Sequence, residues 1–525
     1  MTSENLRPVA GGGKPPAIEL RGISKSFGPV QANRDVTFRV MPGTIHGIVG
    51  ENGAGKSTLM SILYGFYQAD AGEILVDGKS VTIESSRAAI DLGIGMVHQH
   101  FMLVETMSVL DNVMLGSEGG ALLETGQQAT RKELARLSND YGLTVDPEAL
   151  IADLSVGQQQ RVEILKALVR GARILVLDEP TGVLTPQEAD RLFEILAALK
   201  ARGVTIILIT HKLREILAAT DSVSVMRRGE MVAHRTTSKT SAEELAELMV
   251  GRKVLLRVDK TPAEPKETVL AVEGLTVTDS RGVERVKTVS FQVRAGEIVG
   301  IAGVAGNGQS ELLQALAGIQ RISDGSFDIC GTRTVEHDTP LDPHEARRLG
   351  IAHVPEDRHH MGLVTAFSAH ENHILGHHDW PAFNRGLLLD REAAIADCTA
   401  EMERYDVRPP NPQLTAAMFS GGNQQKIVLA RELETQPKLL LVGQPTRGVD
   451  IGAIEFIHNT LVQMRDRGAA VLLVSVELDE IMSLSDRILV MSAGRIVGEM
   501  DAAGADPRRI GLMMADIPED EAEVA

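Results

Sequence analysis

Gly50-Glu51-Asn52-Gly53-Ala54-Gly55-Lys56-Ser57-Thr58 follows the apolar run Ile45-His46-Gly47-Ile48-Val49 and leads into Leu59-Met60-Ser61-Ile62-Leu63. This is the spacing G-x-x-x-x-G-K-[ST] between a predicted strand (45–49) and a predicted helix (57–64). In that setting the glycines let backbone N–H groups close around phosphate oxygens, and the helix start adds its positive end. Lys56 is then placed to reach the β- and γ-phosphates and Ser57 to ligate magnesium. Further on, Ile174-Leu175-Val176-Leu177-Asp178-Glu179-Pro180 reads as a strand apolar on both faces that ends in two carboxylates. Asp178 suits a metal ion, and Glu179 suits the general base or orienter of an attacking water. A helix-capping Asp-Glu-Pro-Thr turn would account for the same residues, but the glycine loop upstream outweighs it.

Working outward, the plan occurs twice. Val36-Thr37-Phe38 matches Val289-Ser290-Phe291, and Ser108-Val109-Leu110-Asp111-Asn112 matches Ser368-Ala369-His370-Glu371-Asn372. The second glycine loop is Gly303-Val304-Ala305-Gly306-Asn307-Gly308-Gln309-Ser310, and the second apolar strand is Leu439-Leu440-Leu441-Val442-Gly443-Gln444-Pro445. Gln309 replaces the lysine, and Gly443 and Gln444 replace the acids. A duplicated ATPase with one hydrolytic and one silent site is expected.

Bulk properties limit the alternatives. The 525 residues carry a formal net charge of -18 and suffice for two full cores. That balance argues against nucleic acid as the main partner. Cys330 and Cys398 alone make neither a disulfide framework nor a zinc ribbon, and suit a reducing compartment. Residues 1–16 lack the apolar core of a signal peptide, and no run of eighteen apolar residues occurs, so no bilayer span is expected. Composition suggests a flexible tail at 1–16, a first domain at 17–252, a proline-punctuated linker at 253–267, a second domain at 268–516 and an acidic tail at 517–525. Short β-branched runs such as Val204-Thr205-Ile206-Ile207-Leu208-Ile209 alternate with helical stretches such as 191–200. The expected fold class is α/β, a mostly parallel sheet covered by helices in each half.

Leu154-Ser155-Val156-Gly157-Gln158-Gln159-Gln160-Arg161 and Phe419-Ser420-Gly421-Gly422-Asn423-Gln424-Gln425-Lys426 resemble the signature of ATP-binding cassette (ABC) proteins. The resemblance runs over residues 17–516, with four or more ordered motifs per half. It implies two tandem P-loop cassettes, each with a helical subdomain, and identifies Gln99 as the Q-loop residue, His211 as the switch histidine and Phe27 as the aromatic that stacks on adenine. It also implies that two cassettes sandwich two nucleotides head to tail. One site then combines Phe27, Gly50 to Thr58, Gln99, Asp178, Glu179 and His211 with Ser420, Gly421, Gly422, Asn423 and Asp450. Catalysis falls to Glu179, His211 and Gln99, and magnesium to Ser57, Gln99 and Asp178. The other site has Gly303, Gly306, Gly308, Gln309 and Ser310 with Gly443 and Gln444. Glu356 stands at its Q-loop place, Val476 at the histidine place and Asp279 at the aromatic place. Its signature is Ser155, Val156 and Gly157, and Thr185 replaces the turn aspartate. Losing the lysine removes a charge-assisted contact of roughly 1.5–3 kcal/mol. The cofactors expected are ATP and Mg2+.

Two fused cassettes resemble the ATP-binding subunits of simple-sugar importers, most of all the nucleoside branch. Val354-Pro355-Glu356-Asp357-Arg358-His359 and Ile209-Thr210-His211-Lys212-Leu213-Arg214-Glu215-Ile216 carry that likeness. It implies two integral-membrane permeases, an extracytoplasmic substrate-binding lipoprotein and a peripheral place on the cytoplasmic membrane face. Ribose or galactose is the alternative cargo. Phe101-Met102-Leu103-Val104 could line a permease groove or be local core. A ribosome-acting ABC factor would carry a long charged linker and two intact sites, and an excision-repair ATPase would need zinc cysteines. A regulatory adaptor that binds nucleotide without transport is the third rival.

Overall fold

The computed structural model describes residues 15–28, 30–98, 101–116, 123–182, 184, 186–253, 260–386, 388–449 and 451–514. The chain divides into two compact units, Met1–Val254 and Leu255–Ala525.

In the first unit a six-stranded sheet runs in the order Glu230–Thr236, Ser222–Arg227, Ile45–Gly50, Thr205–Ile209, Ile174–Asp178, Ile94–Val97. All neighbours are parallel except the first pair. The strands Ile45–Gly50, Ile174–Asp178 and Thr205–Ile209 are buried along their whole length, in keeping with their mostly apolar sequences. Their C-terminal ends lie side by side, so the glycine loop, the Asp178–Glu179 pair and His211 emerge along one edge of the sheet, where ligands bind in open α/β folds. A four-stranded antiparallel sheet (Val30–Val40, Ile18–Phe27, Ala71–Val76, Lys79–Val81) covers the helix Lys56–Leu63. Ile18, Phe38, Leu59, Leu63 and Ile207 share that core, each fully buried side chain contributing roughly 1.5–3 kcal/mol. The helices Val109–Met114, Leu123–Tyr141 and Val156–Val169 form a helical subdomain.

The second unit repeats the order: Arg495–Asp501, Arg487–Ser492, Ile298–Ala302, Ala470–Ser475, Leu439–Gly443, Ile351–Val354. Its antiparallel sheet (Glu284–Arg294, Thr268–Thr278, Asp324–Ile329, Arg333–Glu336) covers the helix Gln309–Leu316 in the same way. The structure is α/β in both units. The predicted helix at 191–200 proves longer, Pro186–Ala201, because Pro186 sits in the first turn, where its missing N–H costs nothing. Among the described residues no helix is long and apolar enough to cross a membrane.

Candidate functional site

The first glycine loop is held by close backbone approach. Gly55 caps the helix Lys56–Leu63 at φ 97°, and a Cβ there would stand 2.3 Å from the Ala32 carbonyl oxygen. Asn33 donates from Nδ2 to the Gly55 carbonyl at 3.0 Å. Lys56 is buried and donates from Nζ to the Gly50 and Glu51 carbonyls at 2.7 and 3.0 Å, which folds it across the mouth of the loop. Burial holds its pKa below the usual lysine range, with Glu179, Asp178 and Glu51 pulling the other way.

Beside the loop, Asp178 is buried, and the Ser57 hydroxyl donates to it. Burial pushes the Asp178 carboxyl up, against that hydrogen bond. Glu179 takes a left-handed conformation, φ 48°, with its N–H bonded to the Ile209 carbonyl at 2.8 Å. That turn swings its side chain toward His211, whose Nδ1 lies 2.9 Å from Glu179 Oε1. Burial alone would raise the Glu179 pKa. The bond and charge of His211, with Lys56 and Lys212, outweigh it and keep the carboxyl below its ordinary value. The structure thus brings Lys56, Ser57, Asp178, Glu179 and His211 together. Phe27 ends its strand 43% exposed, edge-on to Tyr67 at 5.1 Å and with Lys25 Nζ over its ring 5.6 Å from the centroid. Gln99, Asp450 and Thr185 lie outside the described residues.

Three further residues escaped the sequence reading. Glu215 accepts hydroxyl hydrogen bonds from Thr181 and, at 2.9 Å, from Thr210, so one buried carboxylate ties the turn after Glu179 to the turn before His211. Its place four residues after His211 was the available signal. Gln160 of the first signature donates to the Pro180 carbonyl at 2.7 Å. Glu188 lies against the same signature: a Cβ on Gly157 would stand 2.7 Å from its Oε1.

In the second unit Gly308 repeats φ 97°, and Gln444 repeats the left-handed turn at φ 47°, bonded to the Val474 carbonyl at 2.8 Å. The backbone form is kept while the chemistry is not. Gln309 is buried and donates to the Val304 carbonyl at 3.2 Å; it brings no charge. Ser310 donates to Glu356 at 2.5 Å, and burial raises the Glu356 pKa. Asp279 accepts from the N–H groups of Arg281 and Val283 and from Arg285, tying up a hairpin turn. The Val283 backbone bond is the largest influence holding its pKa at about 2.

The two signatures differ in charge. Ser420 caps the helix Gly421–Leu433, and Asn423, where glutamine is usual, donates to its hydroxyl at 2.8 Å while accepting from the Arg408 N–H at 2.7 Å. Arg358 lies against this turn, 2.6 Å from a Cβ on Gly421, and donates to the Arg447 carbonyl at 2.8 Å. A cation therefore stands by Gly421 and an anion by Gly157. Ser155 forms a capping box with Gln158.

A cleft of about 400 Å3 in the first unit is lined by Phe66, His98, Met102, Glu163 and Lys166 among others. Met102, from the run expected to be groove or core, is exposed at its rim.

Comparison with known proteins places these observations. The family model described as ABC transporter matches residues 33–182 and 286–447. The chain is 45% identical to the nucleoside import ATP-binding protein NupA of Lactococcus lactis, covering 95% of this chain and 97% of that one. It is 46% identical to the guanosine import ATP-binding protein NupO of Bacillus subtilis, over 96% and 98% of the two chains. It is 41% identical to the ribose import ATP-binding protein RbsA of Chromobacterium violaceum, over 93% and 95%.

Proposed function

The chain belongs to the ABC transporter family, and from that premise we propose that it drives nucleoside import by hydrolysing MgATP at the Lys56 site alone. It is an ATPase of the ABC type; the choice of site and the cargo are the proposal. The observation that carries the choice of site is the Glu179–His211 pair at 2.9 Å beside Lys56, which the second unit replaces by Gln444 and Val476. Glu179 sits below the ordinary carboxylate range and so is a charged acceptor near neutral pH, able to orient a water and take its proton. Lys56 exchanges its loop carbonyls for phosphate oxygens. Ser57 and the desolvated Asp178 are hard oxygen donors that fit Mg2+, which when bound neutralises phosphate charge. In this reading Phe27 stacks on adenine and Gln99 reaches the metal. Ser420, Gly421, Gly422, Asn423 and Asp450 are nucleotide-contacting residues in this reading, roles that rest on family resemblance.

The cargo passes through two membrane permeases fed by a substrate-binding lipoprotein, with this chain peripheral on the cytoplasmic face. The Met102 cleft supports docking, being apolar at Phe66 and Met102 with Glu163 and Lys166 at hand. Nucleosides are favoured because the nucleoside and guanosine relatives reach 45% and 46% identity, against 44% for a glucose import relative and 41% for the ribose one. A simple sugar is the second reading. Steady-state ATPase assays should find Lys56→Ala and Glu179→Gln each below a few per cent of wild-type turnover, and substantial activity in either removes the site assignment. Cells deleted for the chain should lose uptake of labelled guanosine and keep that of ribose; the reverse reassigns the cargo.

A further inference from the structure

The chain carries a formal net charge of -18, yet one cleft of the first unit is lined by three arginines. It measures about 430 Å3 and lies where the helix Ser86–Asp91 leads into the strand Ile94–Val97 and the helix Val156–Val169 ends. Arg87, Arg170 and Arg173 stand around it against one carboxylate, Asp91. Gly116 and Gly171 also line it, and a Cβ on either would meet nothing within 4 Å, so both face open space. The arginines are only partly committed. Arg87 and Arg173 pair with Asp91 and Asp77 at 3.4 and 2.6 Å, but both pairs are exposed and so weakly held. Arg170 donates to the Leu115 carbonyl, its Nε is buried without an acceptor, and no carboxylate among the described residues pairs with it. The second unit does not repeat the arrangement. Counted from the paired serines Ser155 and Ser420, Thr435, Gln436 and Lys438 stand where the first unit has Arg170, Gly171 and Arg173. Gly376, the counterpart of Gly116, is covered: a Cβ there would stand 2.6 Å from Arg347 Cζ.

We infer that this cleft binds a phosphoryl group, carried by a small phosphomonoester or by an anionic lipid headgroup. A guanidinium is planar, permanently charged and offers paired donors that match phosphate oxygens. The volume lies in the range of small-molecule pockets, roughly 300–1,000 Å3, which leaves room for the organic part of an ester. A purely structural role, arginines closing helix ends, accounts for the bonds of Arg170 to the Leu115 carbonyl and of Arg173 to the Leu92 carbonyl. It accounts neither for an Arg170 Nε without an acceptor nor for three cations around one cleft of an acidic chain. Ile90 and Arg170 also line the Met102 cleft, so a ligand here adjoins the surface proposed to dock a permease. The lipid source rests on that membrane placement; the phosphoryl site itself does not, nor does it depend on where hydrolysis occurs.

Calorimetric titration of the full-length chain with glycerol 3-phosphate, in saturating MgADP to fill the glycine loops, tests the soluble source. Flotation with phosphatidylcholine vesicles, with and without phosphatidic acid, tests the lipid source. Wild type should bind one of the two probes, and which one it binds identifies the source. Arg170→Ala should weaken that binding at least about tenfold, the loss of a charge-assisted contact. Because this variant also unties the Leu115 carbonyl, a second pair decides. Gly171→Asp and Gly171→Asn share a shape and both tolerate a left-handed φ, so they differ in charge alone. The aspartate should weaken binding at least about tenfold relative to the asparagine, by placing a negative charge beside the anion. Both should keep the wild-type affinity for MgADP. A wild type that binds neither probe overturns the inference, and so does an aspartate variant that binds as tightly as the asparagine one. The turnover of Glu179→Gln reads the Lys56 site and is separate from either result.

Discussion

Replacing Glu215 by alanine separates positioning from binding in the first cassette. The Glu215 carboxylate accepts from Thr181, two residues after Glu179, and from Thr210, one before His211. It is buried, and burial pushes its pKa up against those hydrogen bonds and the charge of Lys212. Glu215→Ala leaves two buried hydroxyls without their acceptor, at roughly 1–3 kcal/mol each. Removing a desolvated carboxylate offsets part of that. A net loss of about 2–4 kcal/mol lowers the melting temperature but leaves a fold whose stability is on the order of 5–15 kcal/mol. The larger effect is geometric. Both turns that hold the Glu179–His211 pair are released, and a shift of about 1 Å costs on the order of 10²-fold in rate. The Lys56 loop is not touched, so KM for ATP should stay within about twofold while kcat falls on the order of 10²-fold. Glu215→Gln keeps one acceptor and should fall between. Phosphate release by the purified full-length chain, with calorimetry alongside, measures both. A Glu215→Ala protein that melts earlier yet keeps kcat within about twofold of wild type refutes the positioning role.

Three further outcomes follow from packing and protonation. His46 bridges Ser222 and Ser224 at 2.8 and 2.7 Å, and Ser224 meets His234 at 2.7 Å; burial lowers the two histidines to about 3 and about 4. Their folded values lie below the unfolded value of about 6.5, so the unfolded chain binds protons first and stability drains as pH falls from 6.5 toward 4. At pH 5 that is about 2 kcal/mol each at most, or roughly 8–16 °C in melting temperature, and His46→Asn/His234→Asn should flatten the slope; an unchanged slope refutes it. Gly55→Ala places a Cβ 2.3 Å from the Ala32 carbonyl at φ 97°, so ATP affinity should fall at least about tenfold by equilibrium binding. Gly443→Asp alone collides with Glu356 Cγ at 2.5 Å and should cost about 1–3 kcal/mol in a thermal melt, a loss that Glu356→Ala should largely relieve.

Backbone-level features were legible from residue type alone, because glycine spacing and unbroken apolar runs have few physical solutions. Gly50 to Ser57 specified a loop opening a helix, and Ile174 to Leu177 a strand buried on both faces; both stand in the structure, as does the α/β class of each unit. What stayed hidden were side chains that act across the sheet. Glu215 is one acid on an amphipathic helix and Glu356 one of two adjacent acids, and neither local pattern names the hydroxyl it meets. The reading of Glu356 as one more departure at the Q-loop place came from comparing the halves position by position. In the structure Glu356 occupies the room a Cβ on Gly443 would need, 2.5 Å from its Cγ, and its carboxylate meets the Ser310 hydroxyl. Duplicated sites diverge in this coupled way, since a buried carboxylate facing a hydroxyl costs free energy if only one partner changes. The Gln309, Gln444 and Val476 replacements have no such compensation among the described residues, so they remove lysine charge, base and histidine outright.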